Sequence, residues 1–254
     1  SACLVGSEMC IRDRGEGVRC SQSALGGPKE ASGGQTLGDT HVHDMAKKLR
    51  DRLVEYGPDH TRLLLQVMRH LAEGRPLTSE QVDRVIAGLG IAKDEADQFL
   101  RQVTERDADD RIVGAMGLSL NEHPHRLDVE GVSLSAWCAL DTLFLPALLR
   151  QTATIESPSP VSNTPIRLRV SPERVEVVNP SSAVVSIVVV DPSQDDMASV
   201  EAIWSAFCDH IHFFAARDEA ERWAAARDDI AILTVDEGFD LGRHVWSAVL
   251  SHDA

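Results

Sequence analysis

A chain of 254 residues, 43% apolar and 26% charged, has room for one large domain or two ordinary ones and the make-up of a water-soluble globular protein. Its formal net charge of −15 disfavours a nucleic-acid backbone or an anionic membrane as partner. No apolar run reaches the ~18 residues of a membrane span, and no signal peptide is apparent at the start. The five cysteines lack the regular spacing of a disulfide framework, so a cytoplasmic setting is expected.

Residues 1–40 are rich in Gly and Ser, show no sustained period, and are expected to be a disordered leader. The run Cys10-Ile11-Arg12-Asp13-Arg14 resembles translated adapter sequence, so the leader is expected to be partly non-native. From His41 the pattern turns helical. Met45, Leu49, Leu53 and Tyr56 recur at helical spacing up to Gly57-Pro58. A second helix carries Leu63, Leu64, Val67, Met68 and Leu71. Thr78 with Gln81 predicts a capping box for a third, and a fourth is expected over residues 94–105. Two alternating segments, residues 112–120 and 126–132, suit a β-hairpin. Helices followed by a hairpin read as a winged-helix-like domain over residues 41–130. Its would-be recognition helix and exit carry Asp94, Glu95, Asp97, Glu105, Asp107, Asp109 and Asp110 against Lys93, Arg101 and Arg106. Such a surface repels a duplex. A domain that covers and positions its neighbour fits better.

Residues 131–254 read as a second, α+β domain with a mixed, mostly antiparallel sheet and flanking helices. Expected in order are a helix over 135–149 capped by Ser135, and strands over 166–170, 175–178 and 184–190. A helix over 197–206 and an extended stretch over 207–214 follow. A helix opened by Asp218 and Glu221, a strand over 230–235 and a helix over 241–250 complete the chain.

Beyond residue 20 the sequence holds two cysteines, Cys138 and Cys208. Cys138 precedes Asp141 by three residues, a spacing that places both on one face of a helix. A helix N-terminus favours a thiolate, whereas a neighbouring carboxylate makes a second negative charge costly. The pair is therefore expected to share a proton. Taken alone, C-x-x-D reads first as a buried small residue beside a capping acid. If residues 208–214 are extended, Cys208, His210 and His212 share a side, which raises a Cys/His zinc cluster. The spacing is not that of paired-ligand zinc motifs, and core histidines are the plainer reading. The pairs His123/His125 and His41/His43 read as surface turn residues.

The stretch from Leu134 to Leu148, Leu-Ser-Ala-Trp-Cys-Ala-Leu-Asp-Thr-Leu-Phe-Leu-Pro-Ala-Leu, resembles the signature of the alkylmercury (organomercurial) lyases. Cys208-Asp209-His210-Ile211-His212-Phe213-Phe214-Ala215 resembles the family's second cysteine segment. Weaker likeness covers Leu71 to Pro76, Val170-Ser171-Pro172 and Glu237 to Gly242. The resemblance implies an enzyme in mercury detoxification that protonolyses the carbon–mercury bond, with Cys138, Cys208 and Asp141 as the catalytic set. The same residues would hold substrate or product mercury, a soft ion that prefers thiolates. It implies no organic cofactor, and low-molecular-weight thiols or a mercuric reductase as acceptor of Hg(II). Trp137, Phe144 and Phe213 are expected around the organic group. Three departures stand out. Ser157-Pro158-Ser159-Pro160 lacks a further cysteine common in the family, Ser135 replaces a frequent tyrosine, and Asp209, expected to face solvent, follows Cys208 where some relatives double the cysteine. The competing readings are a non-catalytic Hg(II) or soft-metal binding or sensing protein and, more remotely, a thiol–disulfide pair without C-x-x-C.

Overall fold

The structure is a computed structural model, and it describes residues 39–52, 57–189 and 199–252. Residues 1–38 of the expected leader, Leu53, Tyr56 and the start of the helix read over 197–206 lie outside these residues, whereas residues 39 and 40 already belong to the first helix. Helices α1 (Asp39–Arg52), α2 (Pro58–Ala72), α3 (Ser79–Leu89) and α4 (Lys93–Val103) come first. The apolar positions read from the sequence form their inner faces, with Leu63, Leu64, Val67, Met68 and Leu71 of α2 fully buried. Thr78 and Gln81 make the expected capping box, Thr78 Oγ1 accepting the Gln81 amide at 3.3 Å and Gln81 Oε1 the Thr78 amide at 2.8 Å.

There follow β1 (Thr104–Arg106), β2 (Ile112–Ala115), β3 (Leu118–Ser119), β4 (His125–Val129), β5 (Val132–Ala136), α5 (Ala139–Leu149), β6 (Ala153–Pro158), β7 (Pro165–Val170), β8 (Val175–Asn179) and β9 (Val184–Val188). The chain then runs through α6 (Val200–Ala206), a 3-10 turn (Cys208–His210), β10 (Phe213–Phe214), α7 (Arg217–Ala224), β11 (Ile230–Thr234), α8 (Val235–Val245) and α9 (Ser247–His252). One sheet has the order β1-β2-β3-β5-β4-β6-β7-β8 and the other β10-β9-β11, with every pairing antiparallel.

This is the mixed α+β architecture with an antiparallel sheet and flanking helices that the sequence predicts. The expected hairpin of residues 112–120 with 126–132 does not form. Instead β2 turns directly into β3, β4 pairs β5, and β3 joins the two through Leu118↔Ala136 and Ser119↔Ser135. The local cause is a two-residue turn at Met116-Gly117, both with positive φ, which closes β2 onto β3 as type I′ hairpin turns do. The domain boundary expected near residue 130 falls at Gly131 in the β4–β5 turn, and sheet hydrogen bonding continues across it.

The expected helix over residues 135–149 starts four residues later, because residues 132–136 alternate and are taken into the sheet as β5. α5 is buried from Ala139 to Leu148, apolar on all sides since it contacts α2, α8 and strands of both sheets. Near the C-terminus, Thr234 and Glu237 form a capping box that opens α8 six residues before the expected helix start. The capping box expected at Asp218 and Glu221 is absent. α7 is capped at Ala216 without a side-chain bond, and Glu219 instead accepts the Ala215 amide at 2.9 Å. Among the described residues no helix is long and apolar enough to cross a membrane.

Candidate active site

The Cys138 segment is built by a change of periodicity. The extended residues of β5 run through Trp137 to Cys138, which adopts φ −144° and ψ 173° and is itself the N-cap of α5. Ser135, expected in that role, lies in β5 opposite Arg126 and Ser119 and does not line the cavity beside the thiol. Cys138 and Asp141 thus meet as N-cap and N3 of a capping box, not as two residues on one helical face. The Asp141 carboxylate accepts the Cys138 amide at 2.8 Å, and the sulfur faces the Asp141 amide.

Cys208 comes from the other end of the fold. α6 stops at Ala206, and Cys208 opens the 3-10 turn rather than the extended stretch read from the sequence. Only Phe213–Phe214 are strand. Two backbone links fix this turn. The Ala139 amide in the first turn of α5 donates to Ile211 O at 3.1 Å, and Ser186 on β9 brackets His210 and His212, its Oγ 2.9 Å from His210 O. A third segment arrives from the β2–β3 turn, whose Gly117 O accepts the Trp137 amide at 2.8 Å.

These links bring the three predicted residues together. Ligand atoms of Cys138, Asp141 and Cys208 all lie within 4.8 Å of one another. The residues are 0%, 8% and 4% exposed, and both thiols are free. His210 and His212 are outside this group, so the Cys/His zinc reading has no support among the described residues. His212 Nε2 meets Asp209 O at 3.0 Å instead. Asp209 is exposed, as expected.

The electrostatics follow from burial. Burial lifts the Asp141 carboxyl to about 7, and hydrogen bonds from Cys138 and the nearby His123 offset only part of that. The Cys138 thiol is pushed well up by burial, by its hydrogen bond to Cys208 and by the neighbouring carboxylate. For Cys208 the Cys138 hydrogen bond pulls downward, but burial and the charges of Asp141 and Asp209 outweigh it and leave the thiol raised. Three groups that each resist ionisation in one dry spot hold protons that a soft cation can displace from sulfur.

An apolar cavity opens beside the triad, lined by Leu49, Met116, Trp137, Leu140, Phe144, Ile203, Phe207 and Trp246 among others. Trp137 and Phe144 were expected there. Phe213 was too, but it is fully buried in β10 against β9 and takes no part. The walls from α1, α6, Met116 and Trp246 were not foreseen, since no local motif ties them to the cysteines. His123 and His125 are not surface turn residues either. His125 is 2% exposed with Nδ1 2.7 Å from Ser157 Oγ, and His123 packs edge-on against Trp204 at 5.6 Å. His125 opens β4, where buried and exposed residues alternate, and that period is the signal that it faces inward.

A sequence model of the alkylmercury lyase family matches residues 118–247, which contain all three site residues. The chain is 42% identical over 185 residues to an alkylmercury lyase of Staphylococcus epidermidis, covering 72% of this chain and 81% of the relative.

The chain belongs to the alkylmercury lyase family.

An alkylmercury lyase of Streptomyces lividans is 38% identical over 85% of this chain and 97% of its own length. The crystal structure of the mercury-bound form of MerB2 superposes with a TM-score of 0.66 at 24% identity, over 83% of this chain and 99% of that one, and shows the shared fold. As an alkylmercury lyase family member the chain is an enzyme of carbon–mercury bond cleavage, and a binding-only or sensing role is not favoured.

Proposed function

We propose that Cys138, Cys208 and Asp141 carry the cleavage, with the mercury of the organomercurial as their substrate ion. The observation that carries this assignment is the convergence of two thiols and one carboxyl within 4.8 Å in a buried, apolar setting. Mercury binds thiolates in preference to oxygen ligands. One cysteine takes the R–Hg cation from its external thiolate ligand, and the displaced thiolate leaves with that cysteine's proton. The second cysteine gives its proton to Asp141 and adds its sulfur to the metal. Extra electron density from two sulfurs makes the bound carbon more basic. Asp141 then protonates that carbon. The electron pair of the Hg–C bond becomes the new C–H bond, R–H departs, and Hg(II) stays on two thiolates. No electron is gained or lost, so the step needs no redox cofactor. The apolar walls exclude water and receive the organic group.

Hg(II) on two thiolates leaves by exchange onto other thiols, so low-molecular-weight thiols or a mercuric reductase are the fitting acceptors. A reaction that starts from two reduced cysteines suits a cytoplasmic setting. α2–α4 with the short strands β1 and β2, linked by the Leu77↔Ile112 bridge, serve as a winged-helix-like cover over the catalytic half and not as a DNA reader. Their excess of acidic residues supports this division of labour.

Incubation with a phenylmercury salt in excess thiol tests the assignment. The expected result is benzene released in proportion to Hg(II) formed. Tight binding of the phenylmercury ion with no benzene would leave a sequestering protein and defeat the reading.

A further inference from the structure

One charged side chain close to the site has no part in the chemistry above. Glu105, the middle residue of β1, is 8% exposed. Its Oε2 accepts Ser119 Oγ at 2.7 Å and the Trp137 indole N–H at 3.1 Å, and its Oε1 accepts the Asn121 amide. His123 Nε2 lies 3.8 Å from Oε2. The register of β1 against β2 slips at Glu105 and Arg106, and Gly114 on β2 leaves the space the carboxylate occupies, since a Cβ there would collide with it. Trp137 meets Trp204 edge-on at 5.7 Å, and Trp204 meets His123 in turn.

A buried carboxylate is expensive unless its lone pairs are satisfied. Here they are. Burial works against ionisation, but the four surrounding side chains prevail and hold Glu105 down at about 2, so it stays charged. A sheet edge that needed only packing would be served by an apolar side chain at this position. What the carboxylate does that an apolar group cannot is receive the indole N–H of the residue immediately before Cys138. That indole is a wall of the cavity that Cys208 and Asp141 also line.

We propose that Glu105 is a positioning residue for the lyase reaction, orienting the Trp137 ring as the surface against which the organic substituent rests and so setting preference between aryl and alkyl substrates. This rests on the lyase reading of Cys138, Cys208 and Asp141.

The test compares kcat/KM for phenylmercury and methylmercury salts in the full chain, with melting temperature recorded for each variant. Glu105→Met, which keeps the length of the side chain without an accepting oxygen, and Trp137→Phe are each expected to move the phenyl-to-methyl ratio by about fivefold, the worth of one hydrogen bond. The double variant should move it no further than the larger single change, because the same bond is removed once. Ser119→Ala, which removes another arm of the carboxylate's shell and leaves the indole bond, is expected to lower the melting temperature with the ratio within about twofold of wild type. Should Glu105→Met fail to fold, Glu105→Asp keeps the charge, shortens its reach and is read the same way. An unchanged ratio in a folded Glu105 variant, additive shifts in the double variant, or an equal shift in Ser119→Ala overturns the proposal. Absence of hydrocarbon release from wild type would instead overturn the lyase reading beneath it.

Discussion

Replacing Asp141 by asparagine is expected to lower hydrocarbon release by roughly 10²–10⁴-fold, the usual worth of a positioned acid–base group, while Hg(II) still binds. The side chain keeps its size and an oxygen able to accept the Cys138 amide at N3 of the capping box, so the fold around α5 should persist. What disappears is the group proposed to receive a thiol proton and pass it to carbon. Mercury retention reports on the two sulfurs separately. A variant that turned over at the wild-type rate would remove Asp141 from the mechanism.

The same substitution has a signature in pH. With the carboxyl lifted to about 7, Asp141 is largely protonated below that value and must ionise before it can receive the thiol proton. The wild-type rate should therefore climb as pH passes through about 7 and fall again once both thiols are ionised and no proton remains to transfer. In Asp141→Asn the lower limb should vanish. Stability carries the matching sign. Between the ordinary value of 3.8 and about 7 the folded protein holds a proton that the unfolded chain has released. Stability contributed by this group is thus complete below pH ~4 and is lost as pH rises towards 7, by about 4 kcal/mol at most. Chemical denaturation across that window should show a shallower slope in Asp141→Asn. Glu105 acts in the opposite sense and lower down, between about 2 and 4.5.

Gly117→Ala is expected to damage the enzyme more than any other single methyl group added near the cavity. Gly117 has φ +87°, where an L side chain is strained by about 1–2 kcal/mol. An added Cβ would also fall 2.6 Å from Asp141 Oδ1 and 2.8 Å from its Cβ, and neither can retreat from a buried helix start. Overpacking of that kind costs about 1–3 kcal/mol. Relief by displacing the carboxylate would spoil the alignment of donor and carbon, worth about 100-fold in rate. The measurements are a melting curve and kcat in the same preparation. Wild-type values of both would mean that the β2–β3 turn does not press on the acid.

Local signals made much of this legible in advance. Apolar spacing located α2 and α3, the Thr78/Gln81 pair marked a helix start, and the two cysteine segments pointed to the three residues that converge. Failures came where tertiary pairing decides. Ser135 and Ala136 precede a good helix former and read as its start, yet their partners in β4 and β3 draw them into the sheet. Cys138 consequently became a cap, and its partnership with Asp141 survived for a different geometric reason. The 3-10 turn at Cys208 depends on the Ala139 to Ile211 hydrogen bond, which no window around Cys208 contains. In sequence Glu105 reads as one more acid of a surface that repels DNA. Nothing adjacent to it in sequence reveals that Ser119, Asn121 and Trp137 will surround it.

Two sulfurs and a carboxyl brought to one point form the core of the proposed mechanism, and mercury L-edge X-ray absorption after a single stoichiometric turnover addresses that directly. The expected spectrum has Hg(II) bound by two sulfur neighbours from the protein, falling to one in Cys138→Ser and in Cys208→Ser when these are loaded directly with one equivalent of Hg(II) and freed of external thiol. Two protein sulfurs retained in either variant, or an ion held mainly by nitrogen or oxygen in wild type, would contradict it.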